Sequence, residues 1–271
     1  MKLKYVFIIA MAVSVFASCG KITEEEGVLK LQSLPVVFSV ISPLNPVQVS
    51  LSKTIVPNGS NDTIYYPSAR VYVCGDDKVW TELSRESLEV AVYKDVNNKI
   101  KVTEGKTYFL RVDIAGTTVS AQTTVPIQKG KIVAAEFIAD SEQSPDFDRY
   151  LGTLTVKLEL NKTDPYVLTA YADYIGSDYS TFLQQSSITD RISIPNSVSA
   201  FNLHLITFDP YLAKYWAAKA IASQQSFSEG DLSVFIGTFN GLLPPYSNIV
   251  NGVGLFGSYA ADTKNVKVAQ P

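Results

Sequence analysis

Tyr108-Phe109-Leu110-Arg111-Val112-Asp113-Ile114 is the stretch that decides the fold, because the side chains alternate along it. Tyr108, Leu110, Val112 and Ile114 alternate with Phe109, Arg111 and Asp113. A period of two is the period of a half-buried β-strand. The same alternation recurs at Val47–Leu51 and at Leu154–Leu160. The sequence therefore predicts a mainly β protein.

Turn-forming residues separate the predicted strands of the first half and set their spacing. They stand at Pro57 to Asp62, Gly75 to Asp77, Asn97-Asn98, Glu104-Gly105 and Ala115-Gly116. Strands at this spacing between about Pro35 and Pro126 predict a β-sandwich of the Ig-like or transthyretin-like kind. A boundary is expected at Pro126 to Gly130, so the predicted sandwich domain is 35–128.

The second predicted domain, 129–271, is also β-rich and begins with strands at Lys131 to Ala139 and Leu151 to Leu160. One short helix is expected near 211–224, opening at Asp209 or Pro210. Its apolar positions recur at helical spacing, at Leu212, Tyr215, Trp216 and Ala220. The last residues, Gly241 to Pro271, are predicted to form a loop and a closing strand.

The N-terminus has the pattern of a secretory signal peptide over residues 1–18. Lys2 and Lys4 precede an apolar run from Tyr5 to Phe16. This run is too short for a membrane-spanning helix, which needs about 20 apolar residues. The ending Phe16-Ala17-Ser18-Cys19 resembles a bacterial lipobox, so Cys19 is the expected lipidation site, in the acylated form typical of lipoproteins. The alternatives are an ordinary secretory signal with an incidental cysteine, or an uncleaved anchor.

Residues 19–34 are predicted to be the acylated cysteine and a tether. Glu24, Glu25 and Glu26 form an acidic patch that resembles a surface-export signal of Bacteroidetes lipoproteins. The alternative is a solvated linker, which charge runs usually form. The expected location is the outer membrane, through a lipid anchor, with the protein facing the cell surface.

Composition excludes several classes of function. With 23 Lys and Arg against 26 Asp and Glu, a net charge of -3 and no basic block, the chain lacks the basic stripe of a nucleic-acid groove. His204 is the one histidine, which rules out a His-rich metal site and favours a hydrogen-bonded structural role. Cys74, at the end of a predicted strand, is expected to be a packed small apolar group. No cofactor is predicted.

Four carboxylates crowd one segment of the second half, at Asp140, Glu142, Asp146 and Asp148. Such a loop can supply oxygen ligands to calcium, or one acid of a glycosidase pair. It lacks the ligand spacing of an EF-hand, and Pro145 with its polar neighbours is equally typical of an exposed connection. These four residues are therefore weak calcium candidates.

Aromatic residues are numerous in the second half, and Tyr215 and Trp216 are the two that could anchor an interaction. Exposed rings stack on sugars or anchor protein interfaces because they bury a large area with little loss of rotamer entropy. The alternative, that both fill the core between sheet and helix, is favoured for this pair.

Five segments together carry a family resemblance: Pro46–Ser52, Ser68–Val73, Gly105–Val112, Val119–Pro126 and Tyr246–Gly257. The most specific is Asn248-Ile249-Val250-Asn251-Gly252-Val253-Gly254-Leu255-Phe256-Gly257, whose glycines are expected to permit a turn or a close backbone approach. The order resembles the Bacteroidetes lipoproteins grouped as domain-of-unknown-function family 4249. One departure is Asp164-Pro165-Tyr166-Val167, which keeps one tyrosine of a pair that family members often carry.

The resemblance implies a lipid-anchored cell-envelope protein, often encoded beside a TonB-dependent outer-membrane transporter, and it implies no established catalytic residues. The hypothesis is a non-enzymatic accessory or ligand-capturing partner of such a transporter. The alternatives are a carboxylate-dependent glycan hydrolase using the Asp140 to Asp148 loop, or an adhesin or envelope scaffold.

Overall fold

Fifteen β-strands and one helix are formed by the residues that the computed structural model describes, which are 33–54, 65–86, 91–140, 149–161, 166–171, 179–182, 186–195, 197–223 and 246–269. The first eight strands are β1 (Pro35–Ile41), β2 (Gln48–Lys53), β3 (Arg70–Cys74), β4 (Thr81–Glu82), β5 (Ser84–Arg85), β6 (Val92–Lys94), β7 (Thr107–Ile114) and β8 (Thr117–Thr124). The rest are β9 (Lys131–Ala139), β10 (Arg149–Glu159), β11 (Tyr166–Tyr171), β12 (Tyr179–Phe182), β13 (Ser187–Pro195), β14 (Ala200–Phe208), the helix α1 (Pro210–Ser223) and β15 (Val253–Ala269). The predicted mainly β fold with one short helix is confirmed.

The N-terminal half is a sandwich of two sheets. Strands β4, β3, β7 and β8 form the smaller sheet, and β15, β1, β2, β6 and β5 are consecutive strands of the larger one. Alternate residues point inward, so Val71 on β3 and Leu110 on β7 share a core with Val37 on β1 and Leu51 on β2. The period-two pattern that begins at Tyr108 therefore marks the inner face of the smaller sheet, as predicted.

The second half wraps a separate core. Strands β9, β10 and β13 form antiparallel ladders, and β14 pairs with both β11 and β15. Phe137 and Phe201 meet edge to face there, with ring centroids 5.9 Å apart. No helix of the described residues is long and apolar enough to cross a membrane.

Strand β15 connects the two halves. It runs parallel to β1, with Leu255 opposite Phe38, and antiparallel to β14, with Ala261 opposite Ile206. Its end pairs in parallel with β9. Strand β15 thus pairs with strands of both halves, and the division predicted between 35–128 and 129–271 stays a prediction.

The segment before β15 fixes where that strand enters the sheet. The Asn248 side chain imitates a neighbouring strand, since its Oδ1 accepts from the Phe256 N–H and its Nδ2 donates to the Phe256 carbonyl, both at 2.9 Å. Gly254 has φ +126°, and a Cβ there would overlap the Val37 carbonyl oxygen. The expected close backbone approach is therefore found between β15 and β1.

Asp209 starts α1 and ties it to both halves of the molecule. Its Oδ1 accepts from the Leu212 N–H at 2.6 Å, and Pro210 occupies the first helical turn, as in a standard N-cap. Its Oδ2 accepts from the hydroxyl of Thr123 on β8 and, at 3.3 Å, from Ser258 on β15. Burial raises the pKa of Asp209 to about 6, against the lowering effect of these hydrogen bonds.

Candidate functional site

The outer face of the smaller sheet holds an arginine in contact with two aromatic rings. The Arg111 guanidinium lies 4.6 Å from the centre of the Tyr72 ring and 5.1 Å from that of Trp80. Tyr72 and Arg111 are direct cross-strand partners on β3 and β7, so their side chains share one face of the sheet. A cation over an aromatic face is attracted by the ring quadrupole, which holds this planar group in place.

Two ion pairs frame the stacked arginine. Arg70 binds Glu82 with both Nε and Nη2, at 2.8 and 2.7 Å, while its guanidinium lies 5.3 Å from the Tyr72 ring. Arg111 Nε lies 3.3 Å from Asp113 Oδ2. We call Arg70, Tyr72, Trp80, Glu82, Arg111 and Asp113 the Arg111 face.

The ion pairs of the Arg111 face fix orientation more than stability. The hydrogen bonds from Arg70 hold the pKa of Glu82 below its usual range, and those to Glu82 raise the pKa of Arg70. Both side chains are about half exposed, and exposed ion pairs contribute little to folding stability. The bidentate geometry nevertheless sets the directions in which the donors and acceptors point.

A turn presents Trp80 and Val79 at the edge of the face. Lys78 adopts φ 56°, and its N–H donates to the Gly75 carbonyl at 3.1 Å. Lys106 fixes the turn to the start of β7 through a 2.9 Å ion pair with Asp76. Trp80 remains 41% exposed and Val79 62% exposed.

An open cleft of about 520 Å³ adjoins the Arg111 face where the chain crosses from β4 to β5. The crossing residue, Leu83, is buried and donates its N–H to the Val71 carbonyl at 2.8 Å. Arg70 and Glu82 belong to both the face and the cleft wall. The full lining is Pro67, Ala69, Arg70, Glu82, Leu83, Ser84, Arg85 and Tyr93.

The exposed lining of the cleft is more polar than apolar. Here the cleft supplies apolar contact from Pro67 and Leu83 beside the Arg70–Glu82 pair. Burial raises the pKa of the Tyr93 hydroxyl, which therefore stays protonated at neutral pH and keeps a donor. The arrangement is suited to binding by hydrogen bonds and ring contacts.

The carboxylate segment of the sequence lies mostly outside the described residues. Asp140 is ion-paired with Arg191 on β13, while Glu142, Asp146 and Asp148 fall in the undescribed range 141–148. Within the described ranges there is no group of three or more His, Cys, Asp or Glu placed to hold a metal ion. The calcium candidates and the glycosidase pair stay predictions.

Tyr215 and Trp216 lie in the core between α1 and the larger sheet. They are 4% and 7% exposed, and they contact Phe38 edge to face at 5.7 Å and Phe208 by stacking at 6.2 Å. Burial also raises the pKa of Tyr215 to about 12. The prediction that these two residues could anchor an interaction is therefore wrong, because the packing of α1 against the sheet leaves them little exposed surface.

His204 and Cys74 have structural surroundings. His204 projects from β14 on the face opposite to the buried Leu203 and Leu205, with Nδ1 2.8 Å from Thr263 Oγ1. Burial lowers its pKa, so the ring is neutral at pH 7. Cys74 is buried, and burial raises the pKa of its thiol, which reduces the reactive thiolate. Cys19 and the signal segment lie outside the described residues.

Sequence reasoning missed the Arg111 face. Alternation on β7 does place Arg111 opposite to the buried Leu110 and Val112, so its exposure had a signal. No sequence pattern indicated the contact between Arg111 and Trp80, because that contact depends on the register of β3 with both β4 and β7. The two rings are eight residues apart in sequence and meet the arginine only in the folded sheet.

Comparison with known families gives one match. The model of a family described as a domain of unknown function, DUF4249, matches residues 28–265, which include every strand of the Arg111 face. No curated protein matches the chain.

Proposed function

Because this chain belongs to the DUF4249 family, we propose that it has the role expected from that resemblance: a lipid-anchored, non-catalytic cell-envelope protein. It captures a ligand as the accessory partner of a TonB-dependent outer-membrane transporter. Cys19 carries the acyl chains, and the folded part faces the cell surface.

The observation that carries the proposal is Arg111, which contacts the rings of Tyr72 and Trp80 on a face whose Arg70 and Glu82 also line an open cleft. Tryptophan, tyrosine and arginine are the residues that most often dominate binding energy, since they bring large contact area and directed hydrogen bonds. Preorganisation by stacking and ion pairs lowers the entropy lost when a ligand binds. These are the properties of a capture site.

The carboxylates near this site favour binding over hydrolysis. A glycosidase needs one protonated carboxylic acid, whose pKa must be raised by its environment. The arginine bound to Glu82 does the opposite and keeps that carboxylate ionised. Asp113 lies 3.3 Å from Arg111 Nε. A non-catalytic role is the function that fits these surroundings.

Affinity purification from native cells tests the proposal. The tagged full-length chain is extracted from outer membranes in mild detergent, and co-purifying proteins are identified by mass spectrometry. We expect a TonB-dependent β-barrel transporter, enriched above a tag-only control. Recovery of the chain without any β-barrel partner, or release of new reducing ends from polysaccharides by the purified chain, would contradict the proposal.

A further inference from the structure

We propose that the ligand of the Arg111 face and its cleft is a neutral oligosaccharide, lying across Trp80 and Arg111 and reaching the Arg70–Glu82 pair. This inference rests on the proposed function, because it names the class of ligand that the capture site takes. Three features of the described residues support it: the charge balance, the unused hydrogen-bonding groups and the exposed ring.

The charges of the face cancel. On the face itself Arg70 is paired with Glu82 and Arg111 lies beside Asp113, so two cations face two anions there, while the cleft wall adds Arg85, whose Nη1 donates to the Pro67 carbonyl at 3.5 Å. A site for phosphate, sulfate or an acidic chain is expected to hold an excess of cations, since uncompensated Arg and Lys attract such ligands. A balanced face instead favours a ligand without net charge.

Donors and acceptors both remain available on the face. Arg70 uses Nε and Nη2 on Glu82, so its Nη1 has no partner within the described residues. Glu82 accepts two hydrogen bonds and retains lone pairs for more. A sugar hydroxyl both donates and accepts, so alternating donors and acceptors suit a polyhydroxylated ligand.

The neighbouring strand extends this polar surface. Thr118, Ser120 and Gln122 on β8 share the outer face with Arg111, because they pair across β7 with Asp113, Arg111 and Phe109. Thr118 and Gln122 are exposed. On β3 the face residues Arg70 and Tyr72 are two residue steps apart, about 7 Å along the strand, and Trp80 lies two residues before Glu82, the partner of Tyr72 on β4.

Trp80 supplies the apolar part of the contact. The C–H bonds of a sugar ring form an apolar patch that packs on an indole, and the ring of Trp80 is open to solvent while Arg111 fixes its position. Val79 extends the exposed apolar area beside it. The indole can therefore contact the apolar face of a sugar ring while the neighbouring charged groups bind its hydroxyls.

Titration of the purified chain, lacking residues 1–18, with neutral and acidic oligosaccharides tests the inference. The neutral panel contains α- and β-glucans, xylan and mannan fragments, and the acidic one contains polygalacturonate fragments, followed by calorimetry and Trp fluorescence. We expect binding of at least one neutral member, with an affinity that changes less than about twofold between low and high salt. No binding by the neutral panel at millimolar concentration, or binding of acidic members only, would overturn it.

Variants locate the site. Trp80→Ala should weaken neutral binding about tenfold, from the loss of one ring contact, and Arg111→Gln should weaken it as well. Val133→Ala, which trims an exposed apolar residue on β9, is the control and should bind like the native chain. Circular dichroism and thermal melting identify any variant that fails to fold. Unchanged binding by a folded Trp80→Ala would place the ligand elsewhere and refute the site.

The outcomes separate this inference from the proposed function. Co-purification of a transporter without any oligosaccharide binding would refute the ligand class and leave the accessory role standing. Oligosaccharide binding without co-purification of a transporter would refute the accessory role and leave the ligand class standing. If Trp80→Ala abolishes co-purification while no sugar binds, the Arg111 face is a protein-docking surface, and the ligand assignment is wrong.

Discussion

Asp209 and Ser258 are joined by two hydrogen bonds, one through the backbone and one through the side chains. The Asp209 N–H donates to the Ser258 carbonyl at 2.9 Å, and Ser258 Oγ lies 3.3 Å from Asp209 Oδ2. Ser258 Oγ also lies 2.9 Å from Thr123 Oγ1, which itself donates to Asp209. One fully buried carboxyl group thus connects α1, β15 and β8, three elements far apart in sequence.

This carboxyl group should make stability depend on pH. Its pKa is about 6 in the folded chain, above the ordinary 3.8 of an aspartate, so between these values the folded state holds a proton that the unfolded state has lost. The contribution of this protonated carboxyl group to the free energy of unfolding is fully present below about pH 4. About 3 kcal/mol of it is lost as the pH rises through 6. Asp209→Asn should therefore gain stability relative to the native chain as pH rises.

Urea unfolding of both chains at pH 4 and at pH 7.5 measures this difference directly. The exposed Asp190→Asn on β13 controls for the loss of one carboxylate. A native-minus-variant difference that stays constant across this range would show that Asp209 titrates as an ordinary exposed acid.

Gly254 should tolerate no side chain. Gly254→Ala forces a Cβ onto the Val37 carbonyl and strains a residue at φ +126°, so β15 cannot keep its register with β1. We expect a loss of several kcal/mol of unfolding free energy. Gly116→Ala is the matched control, since φ is +83° but no atom lies within 4 Å, and it should cost only about 1 kcal/mol. Similar urea midpoints for the two variants would contradict the close approach.

The Asn248 side chain should contribute more to folding stability than an ordinary surface amide does. Asn248→Ala removes two hydrogen bonds to the Phe256 backbone and leaves those partly buried groups without partners, which should cost about 2–3 kcal/mol. Asn265→Ala loses one exposed bond to Asn202 and should change stability by less than about 0.5 kcal/mol. Chemical denaturation of both variants is the measurement, and equal costs would refute the strand-like role of Asn248.

Cys19→Ser should release the protein from membranes. Each buried CH2 of an acyl chain contributes about 0.8 kcal/mol, and two or more chains give stable anchoring. Without them the chain should become soluble, or remain as an uncleaved precursor in the inner membrane. Palmitate labelling and fractionation decide this. Mature-sized variant protein that still pellets with the outer membrane would mean that another anchor or a partner retains it.

Local patterns predicted several of the strands and the helix, whereas contacts between distant segments could not be predicted from the sequence. Alternation located β7, the run at Lys131 to Ala139 coincides with β9, and Asp209-Pro210 marked the start of α1. The parallel pairing of β15 with β1 joins residues more than 200 positions apart, and no local pattern encodes it. The same limit applies to the Arg111 face, whose stack arises from strand register.

The measurement that tests the central claim most directly is nutrient uptake by native cells from which the gene has been deleted. Growth on each of a panel of neutral polysaccharides is compared in cells carrying the native gene, no gene, Trp80→Ala or Val133→Ala. The account predicts that growth on at least one polysaccharide falls on deletion and is restored by the native gene and by Val133→Ala, but only poorly by Trp80→Ala. Unchanged growth on every polysaccharide, with loss of cell attachment instead, would contradict capture for a transporter and indicate an adhesin or scaffold.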